Sequence, residues 1–255
     1  MNKRLVLYER RDAVATVTLN RPDAKNAVNA EMASLLREIV NDLSWDDEIK
    51  VVLFAGTGGF CSGTDPEEIS ASGSRAALIE RLSVASPVAG LEKPTIAAME
   101  GDIFGQGLEL GLACDFRVCT EPSRFAMDQV IHGDMPWDGG TQRLSRLVGR
   151  GKAVEMILTG EVINAKEAFR ICLVNKVVPA GTLLETATAL ADQIASKAPI
   201  ATRYAKEAVY KGMDLSLEQG LRLEADLYFL LHTTGDRTEG IRAFQEKRKP
   251  LFQGK

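Results

Sequence analysis

Within the segment GQGLELGLACD, residues 105–115, the carboxylate of Glu109 stands among glycines and small apolar residues, ahead of the closing Asp115. One reading makes it an exposed acid at a helix N-terminus, where the helix macrodipole favours negative charge. The other makes it an acid held in buried surroundings for chemistry, and only the rest of the chain decides between them. Two stretches share a layout that bears on this: GGFCSGTDPEEI (58–69) and GDIFGQGLELG (101–111). Each follows an apolar run and places glycine just before a helix-forming segment. Backbone N–H groups at such turns lack partners and point outward, so two of them can converge on one anionic oxygen. Each is also compatible with a plain strand-to-helix turn. A third stretch, FAMDQVIHGDMPWDGGTQRL (125–144), gathers Asp128, Gln129, His132, Asp134, Trp137 and Asp138. Cys61 precedes the first glycine turn, but no histidine lies near it in sequence, which argues against a nucleophilic thiol.

The elements that must position these residues are readable. LVLYERRDAVATVTLN predicts two strands around the turn Arg10-Arg11-Asp12, with Val14, Thr16 and Thr18 alternating against Ala15, Val17 and Leu19. Asn29 is placed to cap a helix whose apolar positions Met32, Leu35, Leu36, Ile39 and Leu43 have helical spacing. KVVLFAG reads as a buried strand bounded by glycine. PTIAAMEG before residue 105, and FRVCTEPSRFAM before GGTQRLSRLVG, repeat the rhythm of strand, glycine turn and helix without a composition break. The result is an α/β chain with a core over 1–195 and, in the same structural domain, a helical region over 196–255. From Ala165 onward the pattern is amphipathic helix, including KEAFRICLVNKV. Apolar faces with Leu221, Leu227, Phe229 and Leu230 need covering, which predicts self-association.

Taken in order, LNRPDAKNAVN, FCSGTD, KPTIAAMEGDIFGQGLELGLACD, GGTQRL, AVEMILTGEVINAKEA, LVNKVV and AFQEKRKPLF resemble the crotonase (enoyl-CoA hydratase/isomerase) superfamily, from about residue 5 to about residue 253. The resemblance implies a spiral of repeated ββα turns with a C-terminal helical oligomerisation region, and a homotrimer or a hexamer of two trimers. It implies an acyl-CoA thioester substrate, with no cofactor beyond the coenzyme A the substrate carries. The oxyanion donors would be the N–H groups of Thr64 and Gln106; removing one such donor typically costs about 3–4 kcal/mol of transition-state stabilisation. Glu109 falls at the first acid/base glutamate of family hydratases. At the second glutamate this chain has Gln129, and an amide can position water but cannot take its proton. Asp138 stands beside the slot where some relatives carry a catalytic aspartate, so it is a replacement acid/base group, with Asp134 and His132 as alternatives. Trp137, His132 and Asp134 would shape the acyl pocket. Coenzyme A would meet Lys25 through a phosphate and the backbone around Ala24, Ser62 and Thr64 through its adenine, with Phe244 and Lys247 approaching from a neighbouring subunit. The implied activity is addition or removal of water across an enoyl-CoA double bond, a cyclic or otherwise unusual acyl group included. The alternatives are double-bond isomerisation, acyl-CoA hydrolysis, or acyl-CoA binding without catalysis.

The composition fits this. The 255 residues are 45% hydrophobic and 26% charged, with a net charge of −4, so neither a nucleic-acid surface nor a membrane surface is indicated. The four cysteines have no zinc or CxxC spacing and read as buried small residues of a reducing compartment. MNKRLVLYERR lacks the apolar stretch of a signal peptide, and no run reaches the roughly 18 apolar residues of a membrane span. The expected location is the cytoplasm.

Overall fold

The computed structural model describes residues 5–70 and 74–255. Strand β1 (Val6–Arg11) pairs antiparallel with β2 (Val14–Leu19), in a register that sets Arg11 opposite Val14. The turn is therefore Asp12-Ala13, not Arg10-Arg11-Asp12. Asp12 takes the left-handed conformation (φ 52°) that a tight two-residue hairpin needs and that a short polar side chain tolerates. Helix α1 (Ala30–Trp45) begins as predicted, with the Asn29 side chain accepting from Met32 N at 2.9 Å. It buries Met32, Ala33, Leu36, Val40 and Leu43 on one face.

Strands β3 (Val51–Gly56) and β4 (Thr95–Met99) continue the sheet in parallel. Between them lie the short helices α2 (Pro66–Ser70), α3 (Arg75–Leu82) and α4 (Ala85–Ala89). The run 51–55 is buried on both faces. Val51, Leu53 and Ala55 belong to one apolar cluster, and Val52 and Phe54 to the other. A continuous apolar run is what a strand covered on both sides requires.

The second half repeats the pattern. Strand β5 (Asp102–Phe104) leads straight into α5 (Gly105–Ala113), followed by β6 (Phe116–Thr120) and β7 (Arg124–Ala126). Then come α6 (Gly140–Val148), α7 (Arg150–Thr159), β8 (Ile163–Asn164) and α8 (Ala165–Arg170). Strand β9 (Lys176–Val178) corrects the helical reading of KEAFRICLVNKV, because the chain leaves α8 at Arg170 and its last residues pair with β6. The six-stranded sheet runs β1-β2-β3-β4-β6-β9, and β5-β7-β8 form a second, three-stranded sheet. Helix α9 (Leu183–Ala195) covers one face of the large sheet through Leu183, Ala187 and Ala191.

Helices α10 (Pro199–Gly212), α11 (Leu217–Leu231) and α12 (Gly235–Gln245) complete the chain. Lys206 on α10 ties this tail to the core, donating to Asp115 Oδ2 at 2.8 Å and to the carbonyl of Lys93 at 3.0 Å. Leu221, Phe229 and Leu230 are exposed as the sequence implied, whereas Leu227 is buried within the chain. Cys61, Cys114 and Cys119 are buried; Cys172 is exposed, contrary to the expectation for all four. No helix among the described residues is long and apolar enough to cross a membrane.

Candidate active site

Both glycine-rich turns end in helices and pack directly on one another. A Cβ on Gly107 would lie 2.0 Å from the carbonyl oxygen of Cys61, so only glycine lets the first turn of α5 approach the 61–64 turn so closely. The 61–64 turn is itself held from behind. Val28 N donates to Gly63 O at 2.8 Å, Asp65 N donates to Val28 O at 2.9 Å, and Ser62 N donates to Lys25 O at 3.1 Å. Gln106 is the second residue of α5, where a backbone N–H has no carbonyl one turn earlier to bond. Thr64 and Gln106 thus stand at facing turns, and their side chains meet: Thr64 Oγ1 donates to Gln106 Oε1 at 2.8 Å.

Both residues line a cavity of about 660 Å³, within the range of small-molecule sites. Its lining also includes Ala24, Lys25 and Ser62, and Asp128, Gln129, His132, Asp134 and Trp137. The residues of the chain expected to meet coenzyme A at this turn and those expected to shape the acyl pocket therefore share one cavity, whose lining also holds Thr64 and Gln106. Phe244 and Lys247 are not part of it. Phe244 sits on α12, 85% exposed.

Glu109 stands one helical turn beyond Gln106, is fully buried, and is not among the residues that line the cavity. Its Oε1 accepts from two backbone donors, Asp138 N at 2.9 Å and Gly140 N at 2.7 Å. Gly140 is the first residue of α6, so its N–H is free of the helix ladder. A Cβ there would come within 2.9 Å of Glu109 Oε1, Met127 Cε and Pro136 Cβ. Burial pushes the Glu109 carboxyl up to about 7, assisted by the negative charge of Asp138 and opposed by the two N–H donors. Near neutral pH it is poised between base and acid. This decides the first question of the sequence: Glu109 is not an exposed N-terminal acid.

Gln129 lines the cavity and donates from Nε2 to Glu109 Oε2 at 3.3 Å. Its Oε1 is buried and finds no hydrogen-bond partner among the described residues. A buried acceptor without a donor is costly, and such groups concentrate where a ligand or water completes them.

Asp138 corrects the sequence reading. Its carboxylate does not line the cavity. It accepts from Ser83 Oγ (2.7 Å), Val84 N (2.7 Å), Ala85 N (2.8 Å), Ser86 N (3.3 Å) and Ser86 Oγ (3.2 Å), at the start of α4. Gln106 Nε2 stands 3.4 Å from Oδ2. With its lone pairs occupied and 2% of its surface exposed, the side chain is an anchor. It acts on Glu109 in two ways, donating its peptide N–H and raising the carboxyl through its charge.

Asp128 carries no assigned role in the sequence reading, yet its carboxylate lines the cavity, and burial raises its pKa. His132 is exposed at the rim, and Asp134 accepts from the N–H of Met135. The Cys61 thiol donates to Gly63 O, and burial pushes it up to about 12, so it holds no thiolate near neutrality. The Gly140 donor also went unnoticed in the sequence, although the Gly-Gly pair ahead of TQRL marks a helix start with free N–H groups.

The enoyl-CoA hydratase/isomerase family model matches residues 9–255. A putative enoyl-CoA hydratase/isomerase of Bacillus subtilis, YngF, is 40% identical over 261 residues, covering 100% of both chains. The 2,3-dehydroadipyl-CoA hydratase of Escherichia coli is 39% identical, covering 98% of this chain and 99% of its own. The crystal structure of an enoyl-CoA hydratase from Bacillus anthracis superposes with a TM-score of 0.94 at 36% identity, covering 98% of this chain and 100% of that one. With its glycine turns, buried glutamate and cavity assembled on that fold, the chain belongs to the enoyl-CoA hydratase/isomerase family.

Proposed function

We propose that this chain works on enoyl-CoA thioesters through Glu109, with the backbone N–H groups of Thr64 and Gln106 as oxyanion donors. It is a hydratase-type enzyme, adding water across the conjugated double bond or removing it. The thioester carbonyl oxygen sits between the two N–H groups, which stabilise the charge that develops as the enolate forms. Glu109 takes a proton from water as the water oxygen bonds the β carbon, and then gives that proton to the α carbon. Atoms balance: water and the enoyl thioester become a 3-hydroxyacyl thioester, and the carboxylate returns to its starting state. Gln129 Oε1, without a partner among the described residues, supplies an acceptor for the water beside Glu109 Oε2. Coenzyme A lies along Ala24, Lys25 and Ser62, and the acyl group extends toward Trp137 and Asp128.

The observation that carries this reading is the burial of Glu109 with its carboxyl near 7, one helical turn from an oxyanion donor. The test is turnover of a panel of straight-chain and cyclic enoyl-CoA esters, followed by loss of the conjugated-thioester absorbance and by product analysis. Formation of the 3-hydroxyacyl-CoA is expected. A shifted double bond, released coenzyme A, or tight binding without turnover would each replace hydration by another reading.

The exposed Leu221, Phe229 and Leu230 of α11, with Phe244 of α12, support self-association, and the family resemblance supports a trimer or a pair of trimers, which would also bring Phe244 and Lys247 toward a neighbour's coenzyme A. Sedimentation at micromolar concentration is expected to show the oligomer; a lone 27.7 kDa species would overturn it.

A further inference from the structure

A backbone oxyanion donor needs no side chain, yet the Gln106 side chain is buried and hydrogen-bonded at both ends of its amide. Oε1 accepts from Thr64 Oγ1 at 2.8 Å, and Nε2 donates to Leu82 O at 2.7 Å and stands 3.4 Å from Asp138 Oδ2. Gln106 is 1% exposed. The amide cannot turn over, because a flipped Oε1 would face the Leu82 carbonyl and the Asp138 carboxylate, two acceptors with no proton to share. Its orientation in turn requires the Thr64 hydroxyl to be the donor. One amide therefore joins four segments: the 61–64 turn, the start of α5, the end of α3 at Leu82, and the 138–140 turn that donates to Glu109.

The geometry points to a side-chain latch: the Thr64 hydroxyl and the Gln106 amide are positioning residues that fix the separation and aim of the two oxyanion N–H groups. This rests on the assignment of those N–H groups in the proposed function. The two donors come from turns remote in sequence. Such constellations must be held to about 0.5 Å, and misplacement by about 1 Å can cost as much as 10²-fold in rate. A direct bond between the two donor residues removes the freedom of one turn to slide against the other. The Leu82 and Asp138 contacts keep the amide from following the bound substrate instead.

The experiment compares Thr64→Val, which keeps the shape and removes the hydroxyl, with Thr64→Ser, which keeps the hydroxyl. Gln106→Met and the double variant Thr64→Val/Gln106→Met complete the set. Measured are kcat, KM, the affinity for free coenzyme A, which does not use the hole, and the unfolding midpoint. Thr64→Val is expected to lower kcat about tenfold or more, with KM and coenzyme A affinity changed less than about threefold. Thr64→Ser should recover most of the lost kcat. The double variant should be no slower than Gln106→Met alone, because the two side chains act as one unit. Should Thr64→Val not fold, Gln106→Met reads the same bond from the other side. Unimpaired kcat in Thr64→Val or Gln106→Met, no rescue by serine, or additive losses would overturn the latch while wild-type turnover leaves the hydratase reading standing. Absence of wild-type turnover across the enoyl-CoA panel would overturn both.

Discussion

Glu109→Gln is expected to lower kcat by roughly 10²–10⁴, the range for removal of a general acid/base group, while acyl-CoA affinity stays nearly constant. The substitution is well matched to the site. Its carbonyl oxygen can keep the Asp138 and Gly140 N–H donors, and its amide can donate to Gln129 Oε1, which has no partner among the described residues, once the Gln129 amide turns over. The loss is then chemical, not structural. Stability should move the other way. A carboxyl raised from 4.5 to about 7 binds its proton more tightly in the folded protein than in the unfolded one. Its burial therefore costs nothing below about pH 4, and the cost grows as pH rises from about 4.5 to about 7. The penalty reaches about 3 kcal/mol above pH 7. Glu109→Gln should raise the unfolding midpoint at about pH 8, and that gain should vanish toward pH 4. The wild-type pH profile has a matching sign. In the proposed mechanism both hydration and dehydration begin with ionised Glu109, since the overall reaction takes up no net proton, so kcat/KM in both directions should fall below about pH 7. A variant with full activity, or a gain in stability independent of pH, would remove Glu109 from this role.

What the sequence disclosed follows the range of the interactions involved. Asn29 caps α1 through a bond to Met32, three residues away, and the alternation of 51–55 between two apolar clusters is a property of the segment alone. Such features are written locally and were legible. Glu109 and the two glycine turns were legible because a lone acid in small apolar surroundings and glycine at close approaches leave a compositional trace. The strand character of β9 was not, because a three-residue edge strand is made by pairing with β6 and its own residues carry no period. Leu227 and Cys172 differ from expectation for related reasons: which face of α11 meets the core depends on how that helix is docked, and Cys172 lies beyond the end of α8 in a turn with left-handed backbone (φ 62°), which no local pattern states. Asp138 is the clearest case. Its partners lie 52–55 positions earlier in the chain, and nothing in WDGG distinguishes an acid that turns away from the cavity from one that faces it.

That distinction gives the second large effect. Asp138→Asn should lower kcat substantially, as it would if Asp138 were a proton-transfer group, but the accompanying measurements differ. The carboxylate receives the N–H groups of Val84 and Ala85 and the hydroxyls of Ser83 and Ser86. An amide offers only one acceptor atom there and turns its own NH₂ against donors. Hydrogen bonds to charged groups contribute about 1.5–3 kcal/mol each, and a buried donor left unpaired costs about 1–3 kcal/mol, so the variant should lose about 3 kcal/mol of stability. An acid/base residue facing the cavity would have no such effect on unfolding. The pH profile separates the two roles further. The Asp138 charge helps to hold the Glu109 carboxyl up, so removing it should move the Glu109 limb to lower pH and leave it visible; loss of a proton-transfer group would delete a limb. Asp138→Glu is the decisive companion. It restores a carboxylate, which a proton-transfer role would tolerate in large part. The longer side chain cannot place its oxygens on the first N–H groups of α4 while leaving its own peptide N–H 2.9 Å from Glu109 Oε1. Glutamate should therefore be nearly as damaging as asparagine, in both kcat and unfolding midpoint. Substantial rescue by glutamate, with stability intact in asparagine, would return Asp138 to the chemistry and make its cage a resting arrangement.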